Sequence, residues 1–289
     1  MMKHKAVFRF LLALLCALLL SLCSSAPKRA VEIRTMRFMA ETQLDLSNKY
    51  AGRGNYKQAL DMLEESRRIA VAVDDPELLV RTALAYGDIL YYLDKTDEAL
   101  AYWKDALQTA QEAHDRELSA VCSIYLDRYQ LLSNPGNPAV ADKVKHNTKE
   151  NMAFLTEDTL NAANGWIVAA LAEKELKNYG DAEAALKNAF SIHSKGNYLE
   201  LAAYDCYLLA SLYSKQGSYE AAIASLHDAI GFDRRAENSH GLGMDYLALG
   251  DIYKKTGNKN SSIEMYTRAA GIFKAARLEK ELQQAQEKL

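Results

Sequence analysis

Five histidines stand downstream of residue 23: His114, His146, His193, His227 and His240. Imidazoles are the first side chains to test for metal binding or proton transfer. No two of these have a metal-ligand spacing, and no His-Glu-x-x-His helix is present. They read as surface histidines scattered near helix ends. The acidic pairs Glu64-Glu65 and Asp74-Asp75 sit on or beside solvated helix faces, where paired carboxylates cap and solubilise rather than form an acid–base dyad. A Gly-rich phosphate loop, a Cys-x-x-Cys pair and a Gly-x-Ser-x-Gly elbow are all missing from the sequence. Cys122 and Cys206 lie 84 residues apart, too far in a stacked array for the ~5.5 Å Cα spacing of a disulfide, so they read as small buried hydrophobes. These residues point away from an enzyme: no catalytic residue, metal or cofactor is expected.

The elements that carry these side chains are helical. Of 289 residues 49% are hydrophobic and 25% charged, enough apolar surface for a core and against disorder. Only four prolines and 14 glycines interrupt a chain rich in Ala, Leu, Glu, Lys and Gln, which are strong helix formers. The formal net charge of −3 gives no electrostatic case for nucleic acid.

The first 22 residues are separate. Lys3, Lys5 and Arg9 precede an uncharged run from Phe10 to Leu22. As a helix that run spans ~20 Å, short of a ~30 Å hydrocarbon core, and it reads as a secretory signal. Losing its three cationic residues takes the net charge from −3 to −6. Leu20-Ser21-Leu22-Cys23-Ser24-Ser25 resembles a bacterial lipoprotein box, which implies cleavage before Cys23 and lipid on its sulfur. The box prefers Gly, Ala or Ser where Leu22 stands. Cleavage after Ser25 or Ala26 without lipid, or an uncleaved anchor, are the alternatives. Two or more acyl chains would anchor stably, at ~0.8 kcal/mol per buried methylene.

Downstream, a period of 40 residues dominates. Gly54-Asn55-Tyr56-Lys57-Gln58-Ala59-Leu60 recurs as Gly217-Ser218-Tyr219-Glu220-Ala221-Ala222-Ile223, and again from Gly257 to Ile263. Lys95 to Leu100 and Asn178 to Ala182 are weaker copies. Ala59 to Ala99, Ala182 to Ala222 and Ala222 to Ser262 are each 40 residues apart, while Ala99 to Ala182 is 83. One further unit with a three-residue insertion fills that gap. Asp75-Pro76-Glu77-Leu78 and Asp115-Arg116-Glu117-Leu118 are also 40 apart and start the second and third units in register. Each unit reads as two antiparallel helices. Gly54, Gly217 and Gly257 supply left-handed turns. Small residues (Gly87, Ala170, Ala210, Gly250) face large ones (Trp103, Leu186, Leu226, Tyr266). The third unit is the weakest: Asp127 occupies a small-residue position, and Lys143 and His146 follow Ala139 where apolar residues belong. The segment Ser133-Asn134-Pro135-Gly136-Asn137-Pro138 is the strongest breaker in the chain and reads as an extended turn or a contact loop.

This pattern resembles the tetratricopeptide repeat family in its forty-residue form, over residues 36–276. Trp166, Ala169 and Ala170 before Tyr179, Ala182, Leu186 and Ala189 carry it in the fourth unit, and Cys206, Leu209, Ala210 and Tyr213 before Tyr219, Ala222, Leu226 and Ala229 in the fifth. The resemblance implies an all-α, right-handed superhelical solenoid of about six hairpins. The expected organisation is a signal peptide at 1–22, a tether at 23–35, the solenoid at 36–276 with its degenerate third repeat at about 115–158, and a capping segment at 277–289.

In that family the first helices of the hairpins line a concave groove that receives peptides or partner helices. Carried over, the groove positions are Leu44 and Asn48; Arg81, Leu84, Asp88, Tyr91 and Tyr92; Tyr204, Tyr207, Ser211, Ser214 and Lys215; and Met244, Leu247, Asp251, Lys254 and Lys255. The tyrosines either anchor a ligand or pack on the next helix. Chaperone adaptors of the family grip a terminal carboxylate with paired Lys and Asn; Asn48 matches one such position, but Leu44 replaces the lysine beside it. The resulting expectation is a non-enzymatic scaffold of the bacterial cell envelope that binds a protein or peptide, held in the membrane by lipid on Cys23 or exported to the periplasm. An accessory lipoprotein of a solute-transport system, working as a homo-oligomer, is the alternative.

Overall fold

The computed structural model describes residues 34–289. The signal segment, Cys23 and nearly all of the tether lie outside the described residues. The compact unit Met36–Leu289 holds thirteen helices and no strand among the described residues: α1 (Thr35–Gly52), α2 (Tyr56–Ala72), α3 (Pro76–Tyr92), α4 (Thr96–Glu112), α5 (Arg116–Ser133), α6 (Pro138–Met152), α7 (Leu160–Glu175), α8 (Tyr179–Lys195), α9 (Leu199–Gln216), α10 (Tyr219–Ala236), α11 (Ser239–Lys255), α12 (Lys259–Ala276) and α13 (Glu279–Glu287). Successive helices pack on one another along the chain, and the first helices of neighbouring hairpins also touch, α3 on α5, α5 on α7 and α9 on α11. That is the contact pattern of a solenoid.

The forty-residue period is written into the backbone. Gly54, Gly217 and Gly257 have φ of 73°, 78° and 78°, as the turns require. The same left-handed conformation recurs at Asp74, Asp94, His114, Lys177, Asn197, Glu237 and Arg277. Asp and Asn tolerate this conformation, but for His114, Lys177, Glu237 and Arg277 it costs about 1–2 kcal/mol, so at those turns the packing overrides local preference. Asp75 and Asp115, forty residues apart, each accept a hydrogen bond from the backbone N–H three residues on, at 3.1 and 3.0 Å, and cap α3 and α5 alike.

Helix separation inside a hairpin is set by small residues under large ones. A Cβ on Gly250 would meet the Tyr266 ring at 2.3 Å, and one on Gly87 would meet the Trp103 indole at 2.2 Å. Ala59, Ala99, Ala182 and Ala222 are fully buried on the facing helices. The third hairpin departs from the sequence expectation in one respect. Ala141, Val144 and Thr148 are buried, while Lys143 and His146 are exposed. The long turn shifts α6 by two residues relative to an alignment on Ala139, because Asn137 caps the helix and Pro138 opens it. Asp127, at the small-residue position, is buried and accepts hydrogen bonds from Asn147 Nδ2 and Thr148 Oγ1. Burial pushes its carboxyl up to about 6.

Two interfaces between successive hairpins are polar at one equivalent position. His193 of α8 meets Asp205 of α9 at 2.6 Å, both almost fully buried, so this histidine is an interior group rather than a surface one. Forty residues on, the place is taken by Asp233 and Asp245, each 2% exposed. Burial first, and Asp233 second, push Asp245 up to about 9. Burial lifts Asp233 to about 7, while Asn238 pulls it back. Asp245 Oδ2 has no hydrogen-bond donor within reach. Burial and the neighbouring Asp233 carboxyl both favour its protonated form.

Two outcomes follow from this packing. Ala222→Leu should overpack its hairpin and cost about 1–3 kcal/mol, while Lys57→Leu, at an exposed position, should change urea stability by less than about 0.5 kcal/mol; equal losses would refute the register. The raised carboxyl of Asp245 means the folded chain binds more protons than the unfolded one, whose aspartates ionise near ~3.9. Its contribution is therefore complete at acid pH and lost as pH rises through about 9. Asp245→Asn should flatten this alkaline decline in urea midpoints, by roughly 1–3 kcal/mol near pH 9.

Candidate functional site

The first helices bring together residues far apart in sequence. Tyr92 at the end of α3 meets His240 at the start of α11. Its hydroxyl lies 2.7 Å from Nε2, and the rings pack edge to face at 5.4 Å. His240 lies 3.5 Å from Glu281 of α13, and Tyr56 packs on Tyr92 with ring centroids 5.4 Å apart. Burial lowers the His240 imidazole while Glu281 opposes it. Burial, reinforced by Glu281 and by Tyr207 and Tyr204 across the space, pushes the Tyr92 phenol up to about 12. Mutual crowding of this kind places α3, α9, α11 and α13 around one inner face.

Deeper on that face, Arg128 of α5 stands 3.9 Å from Asp88 of α3, beyond hydrogen-bond range. Asp88 Oδ1 has no hydrogen-bond partner, and burial raises its carboxyl against the pull of Arg128. Tyr91, Tyr125 and Tyr204 surround the guanidinium closely enough to act on it electrostatically. A loosely paired cation and anion among tyrosines can offer donors and acceptors to a polar chain at once.

The residues expected to line a groove divide into three groups. Leu44, Leu84 and Leu247 are core residues at 3%, 5% and 5% exposure. Leu44 packs with Ala59, Leu63 and Ile89, so these three are corrected from groove to core: they fall on the face their hairpins stack through. Several others are already engaged. Arg81 pairs with Glu41 and Glu77 at 3.7 and 3.9 Å, and Tyr91 leans on the Trp103 indole at 5.9 Å. Lys215 lies 3.6 Å from Glu175, Lys255 donates to Ser214 Oγ at 3.0 Å, and Asp251 accepts from Tyr266 and Lys288 at 2.7 and 2.6 Å. Asn48, Tyr92, Tyr204 and Lys254 are exposed, and Tyr207, Ser211 and Met244 are half-buried. Sequence reading missed Tyr56, Tyr125, Arg128, His240 and Glu281. The repeat offset could have found Arg128, which follows Asp127 on a first helix; nothing in the sequence brings His240 to Tyr92.

The outer, second-helix side has two shallow depressions. One of about 360 Å³ lies between α10, α11 and α12, with Tyr246 hydrogen-bonded by Arg234 and covered by Arg268. The other, about 520 Å³, is floored by the stacked rings of Tyr86 and Tyr102. Neither is lined by Tyr92, Tyr204 or Tyr207. Cys122 and Cys206 are buried thiols, each pushed up to about 12 by burial. Among the described residues no group of three or more His, Cys, Asp or Glu could hold a metal ion, and no helix is long and apolar enough to cross a membrane.

Comparison with known proteins agrees with this architecture. Residues 206–235 and 246–275 match the tetratricopeptide repeat family, and residues 45–131 match anaphase-promoting complex subunit 5. No curated protein sequence matches the chain. Among solved structures, BtubC (BKLC) from P. vanneervenii is similar at a TM-score of 0.54 and 18% identity, over 82% of this chain and 92% of that one. A Rap protein complexed with Competence and Sporulation Factor gives 0.57 and 15%, over 88% and 75%. PilW, a type IV pilus biogenesis factor, gives 0.50 and 18%, over 85% and 97%. At such identities the likeness is one of fold. With the forty-residue register and the paired helices, it shows an all-helical solenoid over the described residues, in which residues 206–235 and 246–275 match the tetratricopeptide repeat.

Proposed function

We propose that the chain is a non-enzymatic scaffold that binds a protein or peptide segment on the inner face of its solenoid. The observation that carries this reading is the gathering of Tyr92, Tyr204 and Tyr207 with the Asp88–Arg128 pair, from helices distant in sequence, on one face. Tyrosines bury much area at little entropic cost and are frequent anchors of interfaces. The unpartnered Asp88 oxygen and a guanidinium outside hydrogen-bond range can accept from and donate to a backbone. The solved Rap protein of similar fold is complexed with Competence and Sporulation Factor, which supports the reading by analogy of fold.

Recovery of partners on the immobilised full chain tests it. A Tyr204→Ala/Tyr207→Ala variant should lose at least about 30-fold in partner affinity, the scale of two hot-spot anchors. An outer-face Arg268→Ala control should retain it. Equal affinity of all three proteins would remove the inner face as the site.

We further propose that the scaffold works at the bacterial cell envelope, tethered by lipid on Cys23. The support is the sequence alone: the cationic start, the apolar run from Phe10 to Leu22 and the box ending in Cys23. Mass spectrometry of the mature amino terminus should find a lipid adduct on Cys23. A terminus at Ser24 or beyond would overturn anchoring and leave export standing; an intact Met1 would overturn both.

A further inference from the structure

The first two hairpins touch the last helix across the array, and this contact is built unlike the stacking interfaces. Between neighbouring hairpins the contacts are largely apolar and closely fitted, with Leu63, Ile69, Leu78, Leu226 and Leu249 fully buried and only single buried polar pairs among them. Across the array the contacts include one leucine, one polar chain, one exposed ion pair and the Glu200 carboxylate against the end of α1 beside Gly52. Leu278 covers Gly54 so closely that a Cβ there would sit 2.0 Å from its Cδ2. Tyr92, His240 and Glu281 form the polar chain. Lys280 reaches Asp94 at 2.6 Å, both side chains more than half exposed. Such exposed pairs hold little on their own. Contacts this thin belong to the end of a structure that opens at small cost, while closely packed interfaces stay shut.

The same contact occupies the surface a partner would need. Tyr92 spends its hydroxyl on His240 and one face on Tyr56. We infer that α13, with His240, is a clasp that closes the inner face against partners, and that its release, rather than bending of the stacked hairpins, admits a protein segment to Tyr92, Tyr204 and Tyr207. This rests on the inner face being the binding surface. A partner that takes Tyr92 must displace His240, so binding and clasp closure compete, and weakening one strengthens the other.

Tetranitromethane, which nitrates accessible phenols, reads the clasp without any partner. On the full chain, nitration of Tyr207, which is not part of the clasp, is followed by peptide mass spectrometry. A Tyr92→Phe/Lys280→Glu variant and a separate Leu278→Ala variant should each raise its rate by about threefold or more as the closed population falls. Lys187→Glu, which breaks an exposed ion pair within α8, should leave the rate unchanged. A Tyr207 rate equal to that of the unaltered chain in both clasp variants, with the helical melt preserved, would overturn the clasp. That result would leave untouched the partner affinities that test the inner face itself.

Discussion

Four hairpins of this solenoid, the second and the fourth to sixth, depend on a glycine or alanine lying under a large side chain from the facing helix. Gly87 beneath Trp103 and Gly250 beneath Tyr266 leave no room for a methyl group. That close approach fixes how the two helices cross, and so how the next hairpin can stack. A hairpin alone leaves its apolar faces in water; stacking buries them, and the repeat is stable only as an array. The direction of every first helix, and with it the position of each inner-face side chain, follows from these contacts. Here the frame presents tyrosines and a loosely paired Asp88–Arg128, which are suited to recognition.

Polar groups inside the array sit where the packing pattern repeats, and their partners decide whether they are tolerated. Asp127 replaces a small residue and survives because Asn147 and Thr148 donate to it. His193–Asp205 and Asp233–Asp245 fill equivalent positions in successive interfaces in different ways, the first as a close His–Asp contact and the second as two carboxyls raised by burial. Unsatisfied groups in these places would cost several times what a surface pair gains.

Much of the fold was legible in the sequence because the period is local and its signals are steric. The turn glycines Gly54, Gly217 and Gly257, the caps at Asp75 and Asp115, and the buried alanines all announce themselves at fixed offsets. The third hairpin was harder: its inserted turn moved the buried positions to Ala141, Val144 and Thr148, a shift no offset from Ala139 reveals. The candidate site was legible only in part. Tyr92, Tyr204 and Tyr207 could be placed on first helices, but Leu44, Leu84 and Leu247 turned out to be core, because groove and stacking faces adjoin on one helix. The meeting of Tyr92 with His240, 148 residues away, comes from the accumulated curvature of many hairpins. Curvature of that kind is a sum of small rotations that no single motif encodes.

The contact between the ends of the array turns a row of hairpins into an enclosed inner face. Zero-length carboxyl-to-amine cross-linking of the full chain tests it directly. Asp94 and Lys280 are 186 residues apart and in contact at 2.6 Å, so an intramolecular peptide joining them should be recovered from the monomer. It should appear alongside the Glu183–Lys187 link within α8, whose groups are equally close. Recovery of the α8 link without any Asp94–Lys280 link would show that the ends do not meet, and would contradict the enclosed inner face.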